Sequence, residues 1–146
     1  MSPFERDVLT ANRAFYDAFN LRDVAAMEAL WADRDDIACV HPGWGALRGK
    51  EHVLGSWNAI LGSMESPQIV GTDETVHIVG NTAFVVCNEA VDGEPPQLVA
   101  TNVFVQAGNS WLLVHHHASP IIQVLEEDLH HEEEEEASTS AGGVLH

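Results

Sequence analysis

Three turn signals cut the second half of this chain into four long strand-like segments, and few folds can accommodate that arrangement. Gly80-Asn81 separates residues 68–79 from residues 82–91 as a two-residue hairpin turn in which glycine supplies a positive φ. Asp92-Gly93-Glu94-Pro95-Pro96 makes a longer loop, and residues 107–110 join the segments 97–106 and 111–118. Each segment is rich in β-branched and aromatic residues, and Pro120 closes the last because it cannot donate to a sheet ladder. The expected product is an antiparallel sheet of four long strands.

The first 64 residues carry a different period. Ser2-Pro3-Phe4-Glu5 has the form of a capping box with proline at the first helical position. Phe4, Val8, Ala11, Phe15 and Phe19 then recur at spacings of three and four, so a helix is predicted through about Asn20. Asp23 can cap a second, shorter helix with Ala26, Met27, Leu30 and Trp31 turned inward. Residues 37–41 read as a short strand stopped by Pro42-Gly43. From Gly49 or Lys50 to Met64 a third helix is predicted, with Val53, Leu54, Trp57, Ile60, Leu61 and Met64 on one side and Glu65-Ser66-Pro67 ending it. Three helices covering one face of a curved sheet make an α+β cone with an internal cavity.

The last strand holds the most unusual residues, His115-His116-His117 after Trp111-Leu112-Leu113-Val114. Strict alternation puts Trp111, Leu113, His115 and His117 on one face and Leu112, Val114, His116 and Ala118 on the other. Two imidazoles at the end of an apolar strand suggest a polar patch in the wall of a small-molecule pocket. With the opposite alternation, His116 faces the pocket and its neighbours face a dimer partner.

Charge narrows the range of partners. The net charge is −17, with 6 basic and 23 acidic residues, so no basic surface is expected for nucleic acid or anionic membranes. No segment approaches the roughly 20 apolar residues of a membrane helix, and no basic region followed by an apolar run opens the chain; a cytoplasmic protein is expected. Cys39 and Cys87 lie in apolar runs and read as small buried hydrophobes. Residues 123–146, including the run Glu132–Glu136, form an acidic low-complexity tail too polar to fold alone, and disorder is expected there.

Ala29-Leu30-Trp31-Ala32-Asp33 after a helical hairpin, His41-Pro42-Gly43, Leu47-Arg48-Gly49-Lys50-Glu51, Thr101-Asn102-Val103-Phe104 and the segment from Trp111 to Pro120 together resemble the SnoaL-like branch of the nuclear transport factor 2-like (NTF2-like) superfamily. The resemblance spans about residues 5–122 within a domain set at 1–122. It implies a cone of three N-terminal helices on a curved, mainly antiparallel sheet, and a homodimer formed through the outer sheet face. The superfamily includes steroid isomerases, polyketide cyclases, small dehydratases and non-catalytic association modules, so fold alone does not choose among them. In the steroid isomerases that this chain resembles, an Asp before a Pro at the end of the first short strand is the general base; His41 stands there. Their oxyanion-stabilising Tyr on the first helix corresponds to Phe15, with Tyr16 one residue away. Both departures argue against steroid isomerase activity itself.

The candidate catalytic set is therefore His41, His115, His117 and Asn102. An imidazole exchanges protons near neutral pH, so His41 is the expected acid/base group; His115 or His117, with the Asn102 amide, would stabilise a developing oxygen charge. Trp57, Trp44 and Tyr16 are the expected ligand-contacting residues. His115, His117 and His41 invite a metal reading, but no HExxH or CxxC spacing supports it, and neither metal nor cofactor is expected. The expected function is proton transfer on a small apolar, carbonyl-bearing metabolite by an isomerase, cyclase or dehydratase. The alternative is a non-catalytic ligand-binding or association module of the same fold.

Overall fold

The computed structural model describes residues 1–122, so the expected disorder of the acidic tail falls outside the described residues. Helices α1 (Pro3–Leu21), α2 (Val24–Leu30) and α3 (Lys50–Leu61) pack on a six-stranded sheet. The strands are β1 (Ala38–Val40), β2 (Leu47–Arg48), β3 (Ile69–Val79), β4 (Thr82–Val91), β5 (Pro96–Ala107) and β6 (Ser110–Pro120), in the spatial order β2-β1-β6-β5-β4-β3. All neighbours are antiparallel except β1 and β6.

Local chemistry sets the helix starts. The Ser2 side chain accepts from the Glu5 N–H while Glu5 reaches back to the Ser2 N–H, and Asp23 accepts from the Ala26 N–H. Val8, Phe15, Phe19, Met27, Trp31, Val53, Trp57 and Leu61 then fill the space between helices and sheet. Phe4 starts the apolar stripe but stays half exposed, edge-on to Trp111 with ring centres 6.2 Å apart.

Two details differ from the sequence expectation. Helix α3 stops at Leu61, and Met64 is exposed, because the chain turns at Gly62, whose N–H still reaches the Asn58 carbonyl. The pair Leu47–Arg48 is a strand that residue pattern alone does not reveal; two residues are too few to show alternation, and its partner is β1. Gly49 joins it to α3 at φ 91°, a left-handed conformation that favours glycine, and donates its N–H to the Ile37 carbonyl.

Parallel pairing of β1 with β6 sets Cys39 opposite His116 and Val40 opposite His117. Cys39 points into the core, and so does His41 two residues later. The end of the short strand is thereby carried to the middle of the last one.

Candidate functional site

An irregularity in β6 decides which histidine enters the molecule. Val103 of β5 faces His115 and Phe104 faces Leu113, so Val114 has no partner of its own and forms a β-bulge. Before the bulge, Trp111 and Leu113 point inward; after it, His116 and Ala118 do. The phase of the strand has reversed. His115 and His117 consequently stand on the outer face, ring centres 5.9 Å apart, beside Val99, Thr101 and Ser119. The expectation that they serve the cavity is corrected on this ground, and His116 occupies the place assigned to them.

A cavity of about 340 Å³ lies between the helices and the inner sheet face. That is within the usual size range of small-molecule sites. Phe15, Phe19, Trp44, Trp57, Ile60 and Leu98 give it apolar walls, and Tyr16, His41, Glu89 and His116 bring polar groups to it. A wider depression between α2 and α3 holds about 470 Å³ but is an open surface groove, crossed by the Lys50–Asp33 ion pair.

Each polar group is held by a specific contact. His41 Nε2 lies 2.9 Å from Ser56 Oγ, and Ser56 in turn donates to the Val53 carbonyl at 2.7 Å. With the serine proton committed to Val53, Ser56 Oγ receives the His41 Nε2–H, leaving Nδ1 without a proton and with the buried Cys39 Sγ 3.9 Å from it. The turn after β1 places Trp44 edge-on to His41 at 4.8 Å through a Trp44 N–H bond to the His41 carbonyl, and Trp57 lies edge-on at 4.6 Å. Burial among these rings pushes the His41 pKa down to about 4.

The second group of contacts begins on α1. The Tyr16 hydroxyl donates to Glu89 Oε2 at 2.7 Å, with Cys87 Sγ at 3.3 Å. Asn102 Nδ2 lies 2.8 Å from Asn12 Oδ1 and 3.3 Å from the Tyr16 oxygen, while Asn102 Oδ1 is 2.6 Å from His116 Nδ1. Asn12, Asn102, Glu89 and His116 are all buried. Burial lowers the His116 pKa to about 3, raises that of Glu89 against the opposing pull of the Tyr16 hydroxyl, and keeps the Tyr16 phenol protonated. Gly71 permits this packing, since a Cβ there would lie 3.0 Å from the Tyr16 ring.

Of the residues expected at the site, His41, Tyr16, Trp44 and Trp57 line the cavity. Asn102 does not; it sits behind His116 with its amide engaged by three neighbours. Sequence reasoning missed Ser56 and Glu89. Glu89 had a readable signal: it continues the inward series Ala83, Val85, Cys87 of β4, and an acid on an apolar face is the informative exception. Cys39 and Cys87 are free and buried. Among the described residues, no group of three or more His, Cys, Asp or Glu is placed to hold a metal ion, and no helix is long and apolar enough to cross a membrane.

Comparison with known proteins places this geometry in context. Residues 8–123 match the family model of the SnoaL-like domain. A crystal structure from Streptomyces avermitilis, provisionally described as a dehydratase of the NTF2-like family, is 39% identical, with a TM-score of 0.71 over 80% of this chain and 95% of that one. A structure from Thiobacillus denitrificans, provisionally described as a calcium/calmodulin-dependent protein kinase type II association domain, is 31% identical, with a TM-score of 0.65 over 76% of this chain and 92% of that one. The F-box protein SKIP8 of Arabidopsis thaliana is 26% identical over 116 residues, covering 76% of this chain; the chain spans about half (48%) of that relative's length.

Proposed function

Because the chain belongs to the SnoaL-like domain family, we propose that its cavity binds an apolar, carbonyl-bearing metabolite and moves a proton on it, as an isomerase, cyclase or dehydratase does. The observation that carries this reading is the convergence of two neutral imidazoles, His41 and His116, on one aromatic-walled cavity, His41 held at Nε2 by Ser56 and His116 at Nδ1 by Asn102.

In the proposed reaction, His41 Nδ1 takes the proton from the carbon next to the carbonyl, and the carbon–hydrogen electron pair moves into the enolate. The imidazolium then returns that proton, to another carbon in an isomerisation or to a departing hydroxyl in a dehydration. No net proton is gained by the protein. Burial keeps His41 unprotonated and able to accept, and disfavours a long-lived imidazolium. The enolate oxygen needs a donor. Trp57 Nε1 is buried without a hydrogen-bond partner among the described residues, and Trp57 lines the cavity, so we assign that role to its N–H in place of the Asn102 amide.

The identity with a protein provisionally described as a dehydratase supports this reading, and that with one provisionally described as an association domain supports the alternative of binding without turnover. A homodimer through the outer sheet face and a cytoplasmic setting belong to the same proposal. The test is a thermal-shift screen of cyclic and aromatic ketones against wild type and His41→Ala, followed by turnover assays on every hit. Hits that wild type converts and His41→Ala binds but does not convert support proton transfer; hits that neither converts establish the binding module.

A further inference from the structure

An amide can turn either its oxygen or its nitrogen toward a neighbour, and along the path from Glu89 to His116 a single acidic group decides which. An ionised Glu89 carboxylate can only accept, so at pH above its raised pKa the Tyr16 O–H must donate to it, as the 2.7 Å contact has it. Having given up its proton, the Tyr16 oxygen can only accept, and Asn102 therefore presents Nδ2 to it and to Asn12 Oδ1. That leaves Asn102 Oδ1 toward His116, whose Nδ1 must carry the proton. Every hydrogen along the path thus points toward Glu89. Nothing else in this set would stop the Asn102 amide from turning over, since Asn12 Nδ2 has no partner and could donate to Asn102 Oδ1 if both amides flipped.

We infer that Glu89, acting through Tyr16 and Asn102, holds His116 with its proton on Nδ1 and its Nε2 lone pair free for the cavity, and that the cavity consequently takes an uncharged ligand through a hydroxyl group. The second half rests on the reading of the cavity as a metabolite site; the first does not. His116 lines that cavity, and its Nδ1 is occupied, so Nε2 is the nitrogen a ligand can meet. A carbonyl oxygen cannot bond to a bare nitrogen, whereas a hydroxyl can donate to it. No Lys or Arg lines the cavity and Glu89 does, so a carboxylate or phosphate would enter without a counter-charge and beside a buried acid. Glu89 and Asn102 are positioning residues here, and His116 is the group that meets the ligand.

Long-range proton–nitrogen correlation spectra of isotope-labelled imidazoles test the first half without any ligand, with His116 identified by the signal lost in His116→Gln. The expected result is an Nδ1–H tautomer in wild type and conversion to a mixture containing Nε2–H in both Glu89→Gln and Tyr16→Phe. Glu89→Gln is isosteric, and its amide can donate to Tyr16 and release the phenol proton toward Asn102. An Nε2–H tautomer in wild type, or an unchanged tautomer in both variants, overturns the inference. Titration with β-naphthol, β-naphthoate and α-tetralone tests the second half. The naphthol is expected to bind about tenfold or more tightly than the naphthoate and to move the His116 Nε2 signal. Equal affinities overturn the hydroxyl preference. If α-tetralone binds and β-naphthol does not, the hydroxyl inference fails while the carbonyl reading stands; the reverse result leaves the hydroxyl site and removes the carbonyl one.

Discussion

The two faces of β6 carry the same side chain to opposite ends. His116 is 3% exposed, packed against Phe15 at 4.9 Å and bonded to Asn102, whereas His117 is exposed on the far side of the sheet and His115 is only partly covered. Identical chemistry one residue apart is neutral and fixed inside, and solvated outside. Residue type therefore does not make the site; strand phase does, and the Val114 bulge sets that phase.

Breaking the phase of β6 should have the largest effect. Val114 is the extra residue, so deleting it alone would leave Leu113 inward, His115 outward and His116 inward, whereas deleting Val114 together with His115 would turn His116 outward and His117 inward. An unpartnered imidazole would then replace one that is satisfied, and loss of cooperative urea unfolding is the expected outcome for the double deletion but not for the single one. Unchanged unfolding of the double deletion would mean that phase is set elsewhere. Next comes His41→Ala, which under the proton-transfer reading should lower turnover of a true substrate by about 10²–10⁴-fold with little change in binding.

Acid sharpens the contrast further. His41 and His116 fall from an ordinary 6.5 to about 4 and about 3 in the folded protein, so the folded state resists their protonation. The stability this gives is present above pH 6.5 and is lost as pH falls toward 3, by up to about 1.4 kcal/mol per pH unit for each histidine. Glu89 acts in the opposite sense, since its raised pKa makes the folded state bind its proton more tightly than the unfolded chain does. Urea melts from pH 7 to pH 4 should show the net loss, and His41→Gln with His116→Gln should flatten it. The smallest effect belongs to the outer face. His115→Ala with His117→Ala should change the stability of the single chain by no more than about 0.5 kcal/mol per site and leave turnover intact. A larger loss of stability that depends on protein concentration would report the proposed dimer face instead. A loss of activity there would overturn the division between the faces.

What could be read from the sequence follows the range of the interactions involved. The Ser2–Glu5 capping box, the Asp23 cap, the Gly80-Asn81 turn and the apolar periods of α1 and β4 are written within a few residues, and the structure has them where the pattern places them. The end of the short strand was legible in Pro42-Gly43, but His41 was marked as a pocket residue by the resemblance to steroid isomerases, whose base stands before a proline at that place. The bulge at Val114 is different in kind, since it exists only in relation to Val103 and Phe104 on another strand, and no local signal marks it. The Asn102 amide was expected to face a substrate; its three bonds go instead to residues on α1 and β6 that are remote in sequence.

The parallel pairing of residues 38–40 with residues 115–117 also has a consequence for the order of assembly. Hairpins such as β3–β4 and β5–β6 close over short loops, but β1 can find its place only after nearly the whole domain has been synthesised. Such a long closure is entropically slow, so β1 should dock late, onto a meander already formed. A nascent chain that stops short of Val114 would hold His41 and lack the strand it pairs with. The cavity is thus a product of completed synthesis, and a truncated chain has no partial version of it to offer a ligand.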